Sequence, residues 1–198
     1  MIFKNISSNI NIEDNEFDLI FNKDTQIEAE MNFTPFLVAK MAAHYLANKK
    51  GTRILDIGAG AGKFCLIGSA CTEANYIGVE QKQSLCNEAN RIILQYHLSN
   101  IEFIHSNITS ISFIEYDAFY FYNSFHENIC LLESDNDTSH LNHEFYDKYS
   151  FYMKDQLDAM PIGTKLVTYF SYLKEVPASY EVKFSEFEGK LKMWEKLS

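Results

Sequence analysis

From residue 53 onward, short apolar runs alternate with longer stretches whose apolar residues recur every three or four positions. The runs at 53–57, 76–80, 101–105, 117–122 and 165–170 have the length and the β-branched or aromatic content of strands. Between them, 61–71, 84–98 and 141–160 carry helical spacing. Leu85, Cys86, Ala89, Ile92, Ile93 and Tyr96 share one face of the second helix. On the third, Leu141, Phe145, Tyr149, Tyr152, Met153, Leu157 and Met160 point inward. Segments 178–187 and 190–195 read as two strands turning at Glu188-Gly189. This alternation predicts an α/β fold: a doubly wound, mainly parallel seven-stranded sheet with helices on both faces, closed by a C-terminal antiparallel hairpin.

The first fifty residues follow a different pattern. Residues 1–24 are polar and rich in Asn, and only Phe17, Leu19, Ile20 and Phe21 offer an apolar cluster for docking. Residues 1–30 are therefore expected to form an arm with short helices, one of them at 25–31, and 31–198 a single domain. Thr34 is placed to cap a helix whose first residue is Pro35, where a missing N–H costs nothing. Leu37, Val38, Met41, Ala42, Tyr45 and Leu46 then form its buried stripe, and Lys49-Lys50-Gly51 marks its end.

Composition narrows the function. The net charge is −10, with seven acids against Lys4 and Lys23 in residues 1–30 and eleven against Lys148 and Lys154 in 101–160. A nucleic-acid partner needs a basic footprint, so none is expected. A basic protein, a polyamine or a neutral small molecule remains compatible. No apolar run reaches the ~18 residues of a membrane span, and the N-terminus lacks the order of a signal peptide. Cys65, Cys71, Cys86 and Cys130 have no Cys-x-x-Cys spacing and read as reduced thiols of a cytoplasmic protein. His140, His143, Asp135 and Asp137 straddle a loop-to-helix boundary and are read as surface residues, so no metal is expected.

The chemistry concentrates where the first run ends. Asp56 is followed by Gly58, Ala59, Gly60 and Gly62, and Glu80 closes the second run eighteen residues later. Glycines let backbone approach a ligand, and a strand-end carboxylate accepts hydrogen bonds from both hydroxyls of a ribose. A dinucleotide fold spells Gly-x-Gly-x-x-Gly. Here the glycines alternate, and Asp56 would repel a pyrophosphate while ordering the loop and attracting a cation. An NAD-linked oxidoreductase is the weaker reading on that spelling.

In this loop and in Glu80 the chain resembles the Rossmann-like (class I) methyltransferases that use S-adenosylmethionine. That resemblance implies that the loop 58–64, including Ala59 and Phe64, lies under the cofactor's methionyl part, with Glu80 and Gln81 at its ribose. It implies that Asn107 and Ile108, where the family often has Asp, receive the adenine. Asn123, Phe125 and His126 follow the fourth strand, where amino-group methyltransferases carry Asn/Asp-Pro-Pro-aromatic; Ser124 replaces the prolines. The resemblance makes Asn123 a cofactor- and acceptor-facing acceptor of hydrogens, Phe125 a face for a cationic or planar substrate and His126 a proton acceptor. Phe33, Thr34 and Pro35, upstream of the loop, are similar to a cofactor cover in small bacterial relatives of the non-SET histone-lysine methyltransferases. The implied activity is methyl transfer from S-adenosylmethionine to a nitrogen of a protein or small molecule. The competing reading is a cofactor-binding module without turnover. Oligomeric state is not legible in the sequence.

Overall fold

The computed structural model describes residues 2–122, 139–171 and 173–198, with backbone alone for residues 28, 30, 31 and 139–145. Four helices come first: α1 (Ile2–Ser7), α2 (Asp14–Asp18), α3 (Lys23–Asn32) and α4 (Phe36–Leu46). Strands and helices then alternate through β1 (Arg53–Ile57), α5 (Lys63–Cys71), β2 (Asn75–Glu80), α6 (Gln83–Tyr96) and β3 (Ile101–His105). Two 3-10 turns, Ile108–Ser110 and Phe113–Glu115, lead to β4 (Ala118–Tyr122). The chain closes with α7 (Ser139–Asp158), β5 (Lys165–Tyr169), β6 (Tyr180–Glu186) and β7 (Leu191–Lys196).

The seven strands lie in the order β3-β2-β1-β4-β5-β7-β6. Strands β1 to β5 pair in parallel, and β7 runs antiparallel to both β5 and β6. The doubly wound sheet with a terminal hairpin is thus present as expected. The winding reverses between β1 and β4, so their carboxyl ends open a crevice at the switch point, where ligands of such sheets bind. Period-two alternation along β4 sends Ala118 and Tyr120 to one core and Phe119 and Phe121 to the other. The first core holds Phe17, Phe36, Leu46 and Phe64; the second holds Met153, Leu157 and Trp194. In β6, Val182 and Phe184 face consecutive residues of β7, so Lys183 bulges out of the ladder.

The N-terminal residues depart most from expectation. Phe3, Ile6 and Ile12 are buried along with Phe17 and Phe21 in the first core, whereas Leu19 is exposed and Ile20 only partly covered. Helix α4 begins at Phe36, not Pro35, and Thr34 does not cap it. The Phe36 N–H donates to Asp14 Oδ1 at 2.8 Å, while the Thr34 hydroxyl pairs with the Tyr120 hydroxyl at 2.8 Å. That start rotates the helix: Phe36, Ala39 and Ala43 join Val38, Ala42 and Leu46 inside, and Leu37 turns to solvent. Helix α5 starts at Lys63 because Gly62 is left-handed, at φ +85°. On α7, Tyr146 and Ser150 are buried beside Met153 and Leu157.

Candidate functional site

The glycine loop is shaped by hydrogen bonds to β2. The N–H groups of Gly58 and Ala59 both donate to the Val79 carbonyl, at 2.9 and 3.0 Å, and Gly62 N–H closes a turn on Ala59 at 2.9 Å. Gly58, Gly60 and Gly62 all have positive φ. Only glycine takes such a run without strain. Gly62 has a second reason: a Cβ there would sit 2.4 Å from the Phe103 ring.

Glu80 ends β2 and is 8% exposed. Its Oε2 accepts the Gly60 N–H at 3.0 Å and its Oε1 accepts the Lys82 N–H at 2.8 Å. A carboxylate has about four acceptor sites, so each oxygen keeps room for a further donor. The carboxylate thereby fixes the loop from below and remains able to take a pair of hydroxyls. Gln81 beside it is exposed, and its carbonyl accepts from His105 Nε2 at 3.0 Å.

Asp56 is 3% exposed at the β1 register position opposite Gly78. Burial pushes its carboxyl up to about 7; the Cys65 thiol, donating to Oδ2 at 3.3 Å, opposes that push and the Glu80 charge adds to it. The Phe33 ring lies over the loop, 3.4 Å from where a Gly60 Cβ would stand, and packs edge-on against Phe21. Thr34 and Pro35 continue from it toward Tyr120 and α4. Phe33, Asp56, Gly58, Ala59, Gly60, Gly62 and Glu80 are therefore brought together. Phe64 packs in the first core, buried and stacked on Tyr120 with ring centroids 4.0 Å apart.

Asn107 is tied into the turn after β3. Its side-chain oxygen caps the first 3-10 turn, accepting from Thr109 N–H at 3.0 Å and Thr109 Oγ1 at 2.9 Å, while its amide donates to the Tyr149 hydroxyl. Ile108 is buried in the same turn. Asn123, Phe125 and His126 lie outside the described residues, as do Ser124, Cys130, Asp135 and Asp137, and the side chains of His140 and His143.

Sequence reasoning missed a cation under the loop. Lys63 follows Gly62, is 3% exposed, and its ammonium bridges Asp14 at 2.6 Å and Asp18 at 2.7 Å on α2. Because Asp14 Oδ1 also holds the start of α4, one carboxylate ties the glycine loop to the Phe33-Thr34-Pro35 cover. A lysine opening the apolar stretch Lys63-Phe64-Cys65-Leu66-Ile67 was the available signal. A second tie joins α6 to the same region: Glu88 accepts Asn22 N–H at 2.6 Å and pairs with Arg91, whose hydrogen bond holds the carboxyl down at about 2.

Next to the loop, the carboxyl ends of β4 and β5 form an aromatic rim. Tyr122 and Tyr169 are register partners with ring centroids 4.9 Å apart, and Phe170 follows at 4.8 Å from Tyr169. Burial raises the phenols of Tyr122 and Tyr169, the latter further through Asp14. Among the described residues no cluster of His, Cys, Asp and Glu is arranged to hold a metal ion, and no helix is long and apolar enough to cross a membrane.

Solved structures share this fold. TrmN from Thermus thermophilus superposes with a TM-score of 0.62 at 17% identity, covering 85% of this chain and 51% of its own. The present chain thus spans about half the length of that protein. An RNA methyltransferase from Salinibacter ruber, crystallised with S-adenosyl-L-homocysteine, gives 0.58 at 16% identity, covering 84% and 94% of the two chains. An S-adenosylmethionine-dependent O-methyltransferase from Thermotoga maritima gives 0.59 at 14%, covering 87% and 71%. At these identities the likeness is one of fold. No curated protein sequence matches the chain. Residues 15–121, more than half of the sequence and the part that builds the loop, Glu80 and the Phe33 cover, match the family model of protein-L-isoaspartate(D-aspartate) O-methyltransferase, PCMT. The chain therefore belongs to that family.

Proposed function

We propose that the chain methylates a nitrogen of a cationic amine, carried by a small molecule or a protein. The carrying observation is the rim of Tyr122, Tyr169 and Phe170 beside the glycine loop in a chain of net charge −10. Aromatic faces attract ammonium groups, and an acidic surface draws cations toward them. The same charge disfavours an RNA acceptor.

The residues at the loop fit the cofactor. Glu80 offers an acceptor site on each oxygen to the ribose hydroxyls, and the positive-φ glycines leave backbone open to the methionyl part. Phe33 covers Gly60 and excludes water, with Gln81 and Ile108 flanking. When bound, S-adenosylmethionine supplies an electrophilic methyl on a sulfonium whose sulfur keeps the bonding pair as the methyl leaves. Little acid–base chemistry is then asked of the protein. Its work is to align the acceptor nitrogen at the rim and to dispose of one proton. The free thiols of Cys65, Cys71 and Cys86 suit a reducing cytoplasm.

A carboxyl oxygen is the second acceptor reading, and the family match favours it. The match stops at residue 121, before the segment that follows β4, so it bears on the cofactor half of the site. Radiolabelled S-adenosylmethionine separates the two. The protein is incubated with polyamines, a lysine-rich peptide and an aspartyl peptide, and the products are treated with mild alkali. Label on an amine acceptor that survives alkali supports the proposal. Label lost as methanol identifies a methyl ester and overturns it. Cofactor binding with no label on any acceptor favours the binding module.

A further inference from the structure

Tyr169 ends β5 with its ring in the first core and is 7% exposed. Its hydroxyl makes no hydrogen bond among the described residues, yet it is not one of their sealed, unsatisfied oxygens, so it reaches water. Burial and the Asp14 charge raise the phenol. It therefore stays protonated and offers both a donor and an acceptor. A ring packed over nine-tenths of its surface, with an unused hydroxyl at its open end, is a rigid polar group available to a ligand.

The neighbours of that hydroxyl are those of the glycine loop. Ile57 pairs with Phe121 and Tyr122 with Tyr169, which sets Gly58, Tyr122 and Tyr169 abreast across β1, β4 and β5. At about 4.8 Å per strand, Tyr169 stands roughly 10 Å from the first glycine of the loop. Tyr120 bridges the gap from below: its ring stacks on Phe64 and its hydroxyl meets Thr34 of the cover at 2.8 Å. Burial raises the Tyr120 phenol most, and Asp56, Tyr122 and Tyr169 each add to it, so the three phenols and the loop's acid share one neighbourhood. On the α2 side stands Asp14, half exposed. Its Oδ1 serves the Phe36 N–H and Lys63, while its Oδ2 makes no hydrogen bond among the described residues. The rim already receives one ammonium, since Lys190 Nζ lies 5.2 Å over the Phe170 ring, which is 44% exposed.

We infer that the Tyr169 hydroxyl seats the acceptor: its oxygen takes one N–H of the ammonium, which the Tyr122 ring and the Asp14 carboxylate flank. This rests on the amine reading above. It adds a rule of specificity to that reading. Each methyl transferred replaces an N–H, and a fully methylated, quaternary nitrogen has none left for Tyr169. The hydroxyl thus favours every nitrogen that can still be methylated over the one that cannot.

The test uses the full chain saturated with S-adenosylhomocysteine and two probes, n-butylammonium chloride and n-butyltrimethylammonium chloride, followed by calorimetry. Tyr169→Phe keeps the ring and removes only the hydroxyl. It should weaken n-butylammonium by about tenfold or more, the loss of a hydrogen bond from a charged donor. The quaternary probe has no N–H and is held by the aromatic faces alone, so its affinity should stay within about twofold. S-adenosylhomocysteine affinity and the melting temperature should not change, since the hydroxyl bonds nothing within the fold. Asp14→Asn keeps an oxygen for the Phe36 N–H and should weaken both cations, because both carry the charge it attracts; unaltered binding overturns its part. An equal loss of both probes on Tyr169→Phe, or a lower melting temperature, makes the residue a packing element and overturns the inference. Unaltered n-butylammonium binding by Tyr169→Phe also overturns it and leaves the amine reading standing. A wild type that binds neither cation while holding S-adenosylhomocysteine overturns both.

Discussion

Asp56→Asn should stabilise the cofactor-free protein, and more so at high pH. Asp56 is 3% exposed, and its carboxyl is raised from 3.8 to about 7, chiefly by burial. The folded state therefore keeps a proton that the unfolded chain has already lost between those two values. Stability falls as pH rises through that window, and the loss is complete above it. At about 1.4 kcal/mol per pH unit, the raised carboxyl costs the fold roughly 1.5 kcal/mol at pH 5, where Asp56 still keeps its proton, and about 4 kcal/mol at pH 8, where it is mostly ionised. Asparagine carries no such penalty, and its oxygen can still accept the Cys65 thiol. The gain from the substitution should thus grow by roughly 2.5 kcal/mol between pH 5 and pH 8. For a domain of this size that is a relative rise in Tm of roughly 5–10 °C. Taking the difference between two pH values cancels any pH-independent cost of the amide. Differential scanning calorimetry of both proteins at both pH values measures it. A gap that stays the same at pH 5 and pH 8 refutes the reasoning.

Three further substitutions test the cradle and its support. Gly60→Val places a branched side chain at φ +57° and 3.4 Å from Phe33. It should cost S-adenosylhomocysteine affinity at least about tenfold in a folded protein, read by titration calorimetry. Glu80→Ala frees the Gly60 and Lys82 N–H groups as well as the ribose site, and a comparable loss is expected; unaltered affinity would move the ribose elsewhere. Lys63→Met removes the buried ammonium that bridges Asp14 and Asp18, the latter 14% exposed. Urea unfolding should show a loss of about 2–3 kcal/mol, below the range for a fully buried pair because Asp14 is half exposed. A loss under about 1 kcal/mol would make the clamp a surface pair.

What the sequence made legible was whatever is decided locally. Strand alternation gave Arg53–Ile57 and Ile101–His105 to the residue, and the alternating glycines with Glu80 located the loop. What stayed hidden is decided by partners far along the chain. Thr34 looks like a helix cap, but Tyr120, 86 residues on, claims its hydroxyl, and Asp14 caps Phe36 from 22 residues upstream. The cap that Asn107 gives to Thr109 likewise has no sign in the spelling. The polar spelling of residues 1–24 concealed Phe3, Ile6 and Ile12, too widely spaced to announce a packed face. Glu88 and Glu175 stand in ordinary mixed stretches, and nothing in the spelling distinguishes a buried carboxylate from a solvated one.

Strand β6 closes the sheet with almost every side chain in water and one hydrogen-bonding edge unclaimed by β7. A flat strand of that kind, carrying Val182 and Phe184, is a template on which identical chains can stack into fibrils. The bulge at Lys183 interrupts the template in its middle, twisting the edge and planting a charge where a neighbour would have to pair. A single lysine left out of the ladder thereby guards the colloidal fate of the molecule, at a place far from any chemistry it performs.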